Sequence, residues 1–147
     1  MKITTKYLGE VTIDKKDIIN FKSGILGFEE EKEFVLLGVP NDELFGFLQS
    51  IHNSNIAFLL INPWDFFLDY DIEIPDEDLA KIGIHSNEEG QMAVYTIITL
   101  GETLKTSTTN LLAPIIINVK DNTGKQFILN DTNYTTKHKL FPQEIGG

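Results

Sequence analysis

The stretch Thr106-Ser107-Thr108-Thr109-Asn110-Leu111-Leu112-Ala113-Pro114-Ile115-Ile116-Ile117-Asn118 decides how this chain folds. A hydroxyl-rich run ending in an amide passes through a short apolar step and one proline into three consecutive β-branched residues. That pattern reads as a loop feeding a strand buried on both faces. Pro114 suits the first residue of such a strand, because it has no amide hydrogen to give to a ladder, and it pushes Ala113 into extended geometry. Asn110 and Asn118 bracket the segment, where their side chains can satisfy loop backbone groups that would otherwise be buried without partners.

Outward from this block, turn signals recur at short spacing and helical periodicity is almost absent. Ile3 to Tyr7 and Val11 to Ile13 read as a hairpin around Leu8-Gly9-Glu10. Glu33 to Leu37, Phe45 to Gln49 and Ile56 to Ile61 read as strands, the last apolar throughout and therefore expected at the centre of the core, ended by Asn62-Pro63. Tyr70 to Ile74 alternates as a strand does, with Asp71 and Glu73 on an exposed face. The one helix expected runs from about Asp76 to Ile82: Pro75 suits its start, three acids occupy its first turn, and Gly83 closes it. After a turn at Ser86-Asn87-Glu88-Glu89-Gly90 come a long strand, Met92 to Leu100, and a hairpin of Ile115 to Val119 with Gln126 to Asn130. Nine or ten strands with one short helix predict an all-β domain, a small antiparallel barrel or sandwich-like barrel. It spans residues 1–147, with a loosely held tail from about His138 that docks through Leu140 and Phe141.

Composition limits the function classes. A chain of 147 residues, 41% hydrophobic, is long enough to bury a core. It has no cysteine, so disulfides and thiolate metal sites are excluded. The start, Met1-Lys2-Ile3-Thr4-Thr5-Lys6, has no signal-peptide apolar core, and no window approaches a membrane span, which points to the cytoplasm and away from membranes. Net charge is −10 and all 12 basic residues are lysine. An acidic surface without arginine argues against direct nucleic-acid binding. Chemical constellations fail one by one: His52, His85 and His138 are scattered, the acids around Asp69-Tyr70-Asp71 lack calcium-loop spacing, and neither Ser23 nor Ser50 lies in a nucleophile motif. No catalytic residue, metal or cofactor is indicated.

Three segments carry two readings each. In Gly24-Ile25-Leu26-Gly27-Phe28 the glycines either fold a loop that caps the core with Ile25, Leu26 and Phe28, or present an apolar rim to a partner. Leu44-Phe45-Gly46-Phe47-Leu48 and Trp64-Asp65-Phe66-Phe67-Leu68 are too aromatic for every ring to face one core, so some rings are expected at the surface as anchors. The acids Asp65, Asp69, Asp71, Glu73, Asp76, Glu77 and Asp78, with no lysine before Lys81, form either a solvated face or a binding surface.

The Thr106–Asn118 block, taken with Ser23-Gly24-Ile25-Leu26-Gly27-Phe28-Glu29, Leu48-Gln49-Ser50, Pro63 and Tyr70, resembles the flagellar assembly factor family, FliW. The resemblance runs from the amino-terminal strand pair to Tyr134. It implies an all-β cytoplasmic protein without catalytic activity that binds flagellin and, when free of it, the RNA-binding translational repressor CsrA. An RNA binder carries positive charge, so the acids Asp65, Asp69, Asp71 and Glu73 become candidates for CsrA. Phe45, Phe47, Phe66 and Phe67 become candidates for flagellin, whose apolar-faced terminal helices need cover before export. Gly24, Gly27, Phe28, Gln49, Asn110, Pro114 and Asn118 are the motif positions assigned structural roles. The competing expectation is a small barrel that encloses a ligand or performs chemistry at its mouth. The two differ in whether the interior is filled, and abundant Phe, Ile and Leu favour a packed one.

Overall fold

One long strand with three neighbours closes the sheet of this protein. The computed structural model describes residues 1–85 and 91–142, so the expected turn at 86–90 and the last part of the tail, 143–147, lie outside the described residues. Within it the strands are β1 (Lys2–Thr4), β2 (Glu10–Thr12), β3 (Ile19–Asn20), β4 (Glu33–Val39), β5 (Asp42–Ser50), β6 (Ala57–Ile61), β7 (Met92–Thr99), β8 (Thr108–Thr109), β9 (Ile115–Asn118), β10 (Thr123–Gln126) and β11 (His138–Lys139), with one helix, α1 (Asp76–Ala80). The ring β7-β6-β5-β4-β3-β10-β9 returns to β7, because Met92–Tyr95 pair with β9 while Thr96 and Ile97 pair with β6. The distal end of β7 carries β8, which carries β11. Pairing is antiparallel apart from β3 and β10, which run parallel through one register pair, Asn20 with Thr123. The fold is a small all-β barrel.

Its interior is filled. Phe21, Phe34, Leu48, Leu60, Ile115 and Ile117 have at most 1% of their surface exposed, and Phe21 meets Phe34 edge-on at 5.3 Å. Among the described residues this interior is packed with rings and branched chains, unlike the ligand chambers that larger barrels enclose. Gly124 on β10 is required by this packing, since a Cβ there would lie 2.6 Å from the Phe21 ring. Ile115, Ile116 and Ile117 are all buried because β9 is covered on both faces: Ile115 and Ile117 point inward, and Ile116 points out beneath a second cluster of Ile82, Ile84, Val94 and Phe127.

Several expected elements differ from those observed. Tyr70 to Ile74 forms no strand: its burial alternates as expected, but the backbone has no ladder partner and lies as a strap across the outer cluster. The strand after the last turn is Thr123–Gln126 rather than Gln126 to Asn130. Asn122, at φ 52°, makes the turn earlier, and beyond Gln126 the Phe127 and Leu129 amides donate to the Pro114 and Leu112 carbonyls along an irregular path. The first hairpin stops at Thr4, because the Thr5 side chain and amide both turn onto the Gly9 carbonyl. In β6 only Leu60 and Ile61 are buried, while Ala57, Phe58 and Leu59 remain half-exposed where the sheet is incompletely covered. In the glycine loop Ile25 caps the core but Leu26 and Phe28 stay exposed, with Phe28 edge-on to Phe58 at 5.1 Å.

Candidate functional site

The outer face of β4, β5 and β6 carries one of two surface features. Strand alternation sends Leu48 inward and leaves Phe45 and Phe47 on the outside. The N-terminal hairpin covers one side of this face, Ile3 and Ile13 clustering with Val35 of β4. The other side is covered by Phe66, Phe67 and Leu140, packed on Ile61 and Ile98. Ring contacts run from Phe141 to Phe66 at 5.8 Å and on to Phe45 at 6.0 Å, while Phe47, two residues along the same face of β5, stacks on Tyr7 at 4.9 Å. Phe45, Phe47 and Phe66 are half-buried, and so is Phe67, which turns toward His138 instead. The structure therefore brings three of the four phenylalanines onto one stripe and places the fourth at its margin. Tyr7 and Phe141 extend the stripe. They went unassigned because neither lies in an aromatic run, and only folding brings them to β5.

The second feature is built on the irregular strap after β6. Asn62 accepts the Trp64 amide and starts a single turn at Pro63, whose carbonyl receives Phe66 and Phe67. This turn leaves Leu68 87% exposed at its tip. The Trp64 indole N–H donates to the Tyr70 carbonyl at 2.7 Å, and the Tyr70 hydroxyl donates to the Leu111 carbonyl at 2.7 Å. The Asp71 amide donates to the Tyr134 hydroxyl at 2.8 Å, and the two tyrosine rings meet edge-on at 4.8 Å. Burial, reinforced by Tyr134, pushes the Tyr70 phenol up from its ordinary value, so it stays a donor at neutral pH. At the far end the Ile82 carbonyl accepts from Asn118 Nδ2 and Thr123 Oγ1.

Pinned at both ends, the strap opens a groove of about 670 Å³ against β7 and the loop after β10. Ile72, Ile74, Leu79 and Met92 form its apolar part, and Glu73, Asp76 and Asp131 its acidic part. Asp71 and Glu73 share an adjoining recess of about 200 Å³ with Asp131 and Tyr134. Asp65 and Asp69 are exposed on the preceding turn and line neither hollow. Asp131 and Tyr134 come from sixty residues away, so no spacing in the sequence announced them.

The motif residues hold loops. Gly24 has φ 65°, and a Cβ there would lie 2.6 Å from the Glu29 backbone; Gly27 has φ 86°. Gln49 is buried and accepts the Lys6 amide while its Nε2 donates to the Ile56 carbonyl at 3.2 Å, tying the hairpin to the β5–β6 turn. Asn110 accepts the amides of Leu112 and Ala113, and Pro114 is buried at the entry to β9. Asn118 accepts the amides of Lys120 and Asp121. Gln126 links two motif blocks, accepting the Leu26 amide and donating to the Ala113 carbonyl. Among the described residues no three His, Asp or Glu side chains gather to hold a metal, and no helix is long and apolar enough to cross a membrane.

The family described as FliW protein matches residues 2–140. This chain belongs to the FliW family. It is 47% identical over 145 residues to the flagellar assembly factor FliW of Geobacillus sp. (strain WCH70), covering 99% of both chains. To the protein of the same description from Bacillus subtilis (strain 168) it is 42% identical over 140 residues, covering 95% of this chain and 96% of the relative. A solved structure, described as the crystal structure of the flagellar assembly factor FliW, superposes with a TM-score of 0.91 at 44% identity, covering 98% of this chain and 99% of that one. The fold is thus shared along nearly the whole length of both chains.

Proposed function

We propose that this protein is a non-catalytic, cytoplasmic flagellar assembly factor that holds flagellin on its aromatic stripe and a CsrA-type repressor at its acidic strap. While flagellin accumulates it occupies the protein. Once flagellin is exported, the freed protein binds the repressor and relieves repression of flagellin synthesis. The observation that carries this reading is the presence, on a FliW barrel, of two surfaces of opposite chemistry.

Phe45, Phe47 and Phe66 offer a few large, half-buried anchors, the kind that receive the apolar face of a helix. Glu73 stands at a groove that is apolar in part, Asp71 at the recess adjoining it, and Asp65 and Asp69 extend the negative field along the turn before it. A basic, RNA-binding partner is steered toward such a field, and screening over about 8 Å at physiological ionic strength makes that steering salt-dependent. Apolar burial is not screened.

Calorimetry with each purified partner across a salt series tests the assignment. CsrA affinity should fall steeply as salt rises and flagellin affinity should change little. An Asp71→Lys, Glu73→Lys variant should lose CsrA and keep flagellin. Equal salt sensitivity, or loss of flagellin on charge reversal alone, would show that the two partners do not divide between these surfaces as described.

A further inference from the structure

Lysines supply all the basic side chains of this acidic chain, 12 in number, and three of them converge on one recess of about 160 Å³ where β3 meets β10. Lys22, Lys81 and Lys125 line it together with Ser23 and Asn20, and no carboxylate does. The recess follows from the fold: β3 and β10 run parallel through a single register pair, so the backbones part on either side of it. Gly124 lines it with backbone alone, since a Cβ there would point inward at the Phe21 ring.

Two of the lysines have side-chain partners at the recess. Lys125 Nζ donates to Ser23 Oγ at 3.2 Å, which leaves the serine hydroxyl proton for another acceptor. Lys81 Nζ meets Asp78 at 3.2 Å. That pair is solvent-exposed, so little is lost when the ammonium is shared with an incoming anion. Three lysine residues and a serine hydroxyl line one hollow, with one of the lysines paired to a carboxylate, so the recess carries net positive charge that a compact anion can neutralise, and lysine serves as a point charge for phosphate.

We propose that this recess binds the phosphate group of a small molecule, either free phosphate or a phosphate monoester, at a site separate from both partner surfaces. The test is a titration of the ¹⁵N-labelled full chain with inorganic phosphate and with O-phosphoserine, at constant ionic strength and with chloride as the control anion. The amide signals of Ser23, Ile82 and Gly124 should move and saturate with phosphate or with the monoester, but not with chloride. Tighter binding of the monoester assigns the site to an organic phosphate, and equal or weaker binding assigns it to free phosphate. Lys22→Gln with Lys125→Gln should weaken binding by about tenfold or more at unchanged thermal stability, whereas Lys15→Gln with Lys105→Gln should not. Ser23→Ala should weaken it several-fold without changing charge, a second measurement should the double variant unfold. Shifts that fail to saturate, that chloride reproduces, or that both lysine pairs diminish equally would overturn the site.

Discussion

The aromatic stripe and the acidic strap are held in place by different means. Phe45 and Phe47 stand on β5, which is paired along its length with β4 on one side and β6 on the other. Their positions follow from ladder register, which many backbone hydrogen bonds enforce together. Asp71 and Glu73 stand on a segment with no ladder partner, positioned by side-chain bonds from Trp64 and Tyr70 and to Tyr134. The stripe should therefore tolerate loss of any one neighbouring contact, while the strap depends on a few. A helix face needs a stiff platform on which to align several anchors, whereas attraction of a basic partner needs charge density more than fixed atoms.

The largest expected effect comes from removing the strap's anchor. Tyr70 is 5% exposed and its ring packs between Trp64 and Tyr134. Tyr70→Ala should destabilise the protein by about 3 to 5 kcal/mol, the usual cost of truncating a buried aromatic, measured by urea unfolding. Where the variant remains folded, CsrA affinity should drop more than flagellin affinity. An equal drop would mean that the two surfaces share one support.

Next in size is Phe45→Ala with Phe47→Ala, which should weaken flagellin binding by about 2 to 4 kcal/mol, the range of interface hot spots, and leave CsrA binding unchanged in calorimetry. Retained flagellin affinity would move the anchors elsewhere on the stripe, toward Phe66 and Phe141. A smaller effect is expected from Asn110→Ala, which strips the Ala113 amide of its acceptor and leaves the Leu112 amide only the Thr135 carbonyl, beside Leu111, the residue whose carbonyl receives Tyr70. The cost should be about 1 to 3 kcal/mol of stability, since a buried donor is left unpaired. A variant with parental stability and no partner binding would make Asn110 a contact residue instead.

The same division governs what could be read before folding. Glu33 to Leu37, Phe45 to Gln49 and Met92 to Leu100 were legible as strands because they are short apolar runs between turn signals, whereas a strand buried on one face shows a two-residue period. Tyr70 to Ile74 shows the same period, with Tyr70 buried and Ile72 and Ile74 half-buried, yet it makes no ladder. A strap over an apolar surface alternates for the same reason a strand does, and the sequence cannot tell whether a neighbouring backbone is present. The Phe127 and Leu129 alternation misleads likewise, because pairing with β9 ends at Gln126. Of the surface features, the density of acids and the surplus of rings were visible as local composition. Tyr7 beside Phe47, Asp131 beside Glu73 and Gln126 beneath Leu26 were not, because each meeting joins residues far apart along the chain.

The smallest effect at neutral pH is the one that most narrowly separates the strap from the stripe. Burial and the neighbouring Tyr134 raise the Tyr70 phenol above its unfolded value, so at alkaline pH the folded state holds a proton that the unfolded state has released. Below the unfolded phenol's pKa of about 10 both states are protonated and Tyr70 contributes no pH dependence. Above it the unfolded state binds fewer protons, so stability must fall as pH rises toward the folded value. Urea unfolding at intervals from pH 8 upward should show this decline, and Tyr70→Phe should flatten it while costing about 1 to 3 kcal/mol at neutral pH for the unpartnered Leu111 carbonyl, a cost that shrinks as the parent loses stability at alkaline pH. The ring contacts of Phe45 and Phe47 run to Phe66 and Tyr7 and not to Tyr70, so the Phe45→Ala, Phe47→Ala variant should keep the parental alkaline slope. If instead Tyr70→Phe retained the full decline, another group would be responsible, and the Tyr70 hydroxyl could no longer be counted as the strap's anchor.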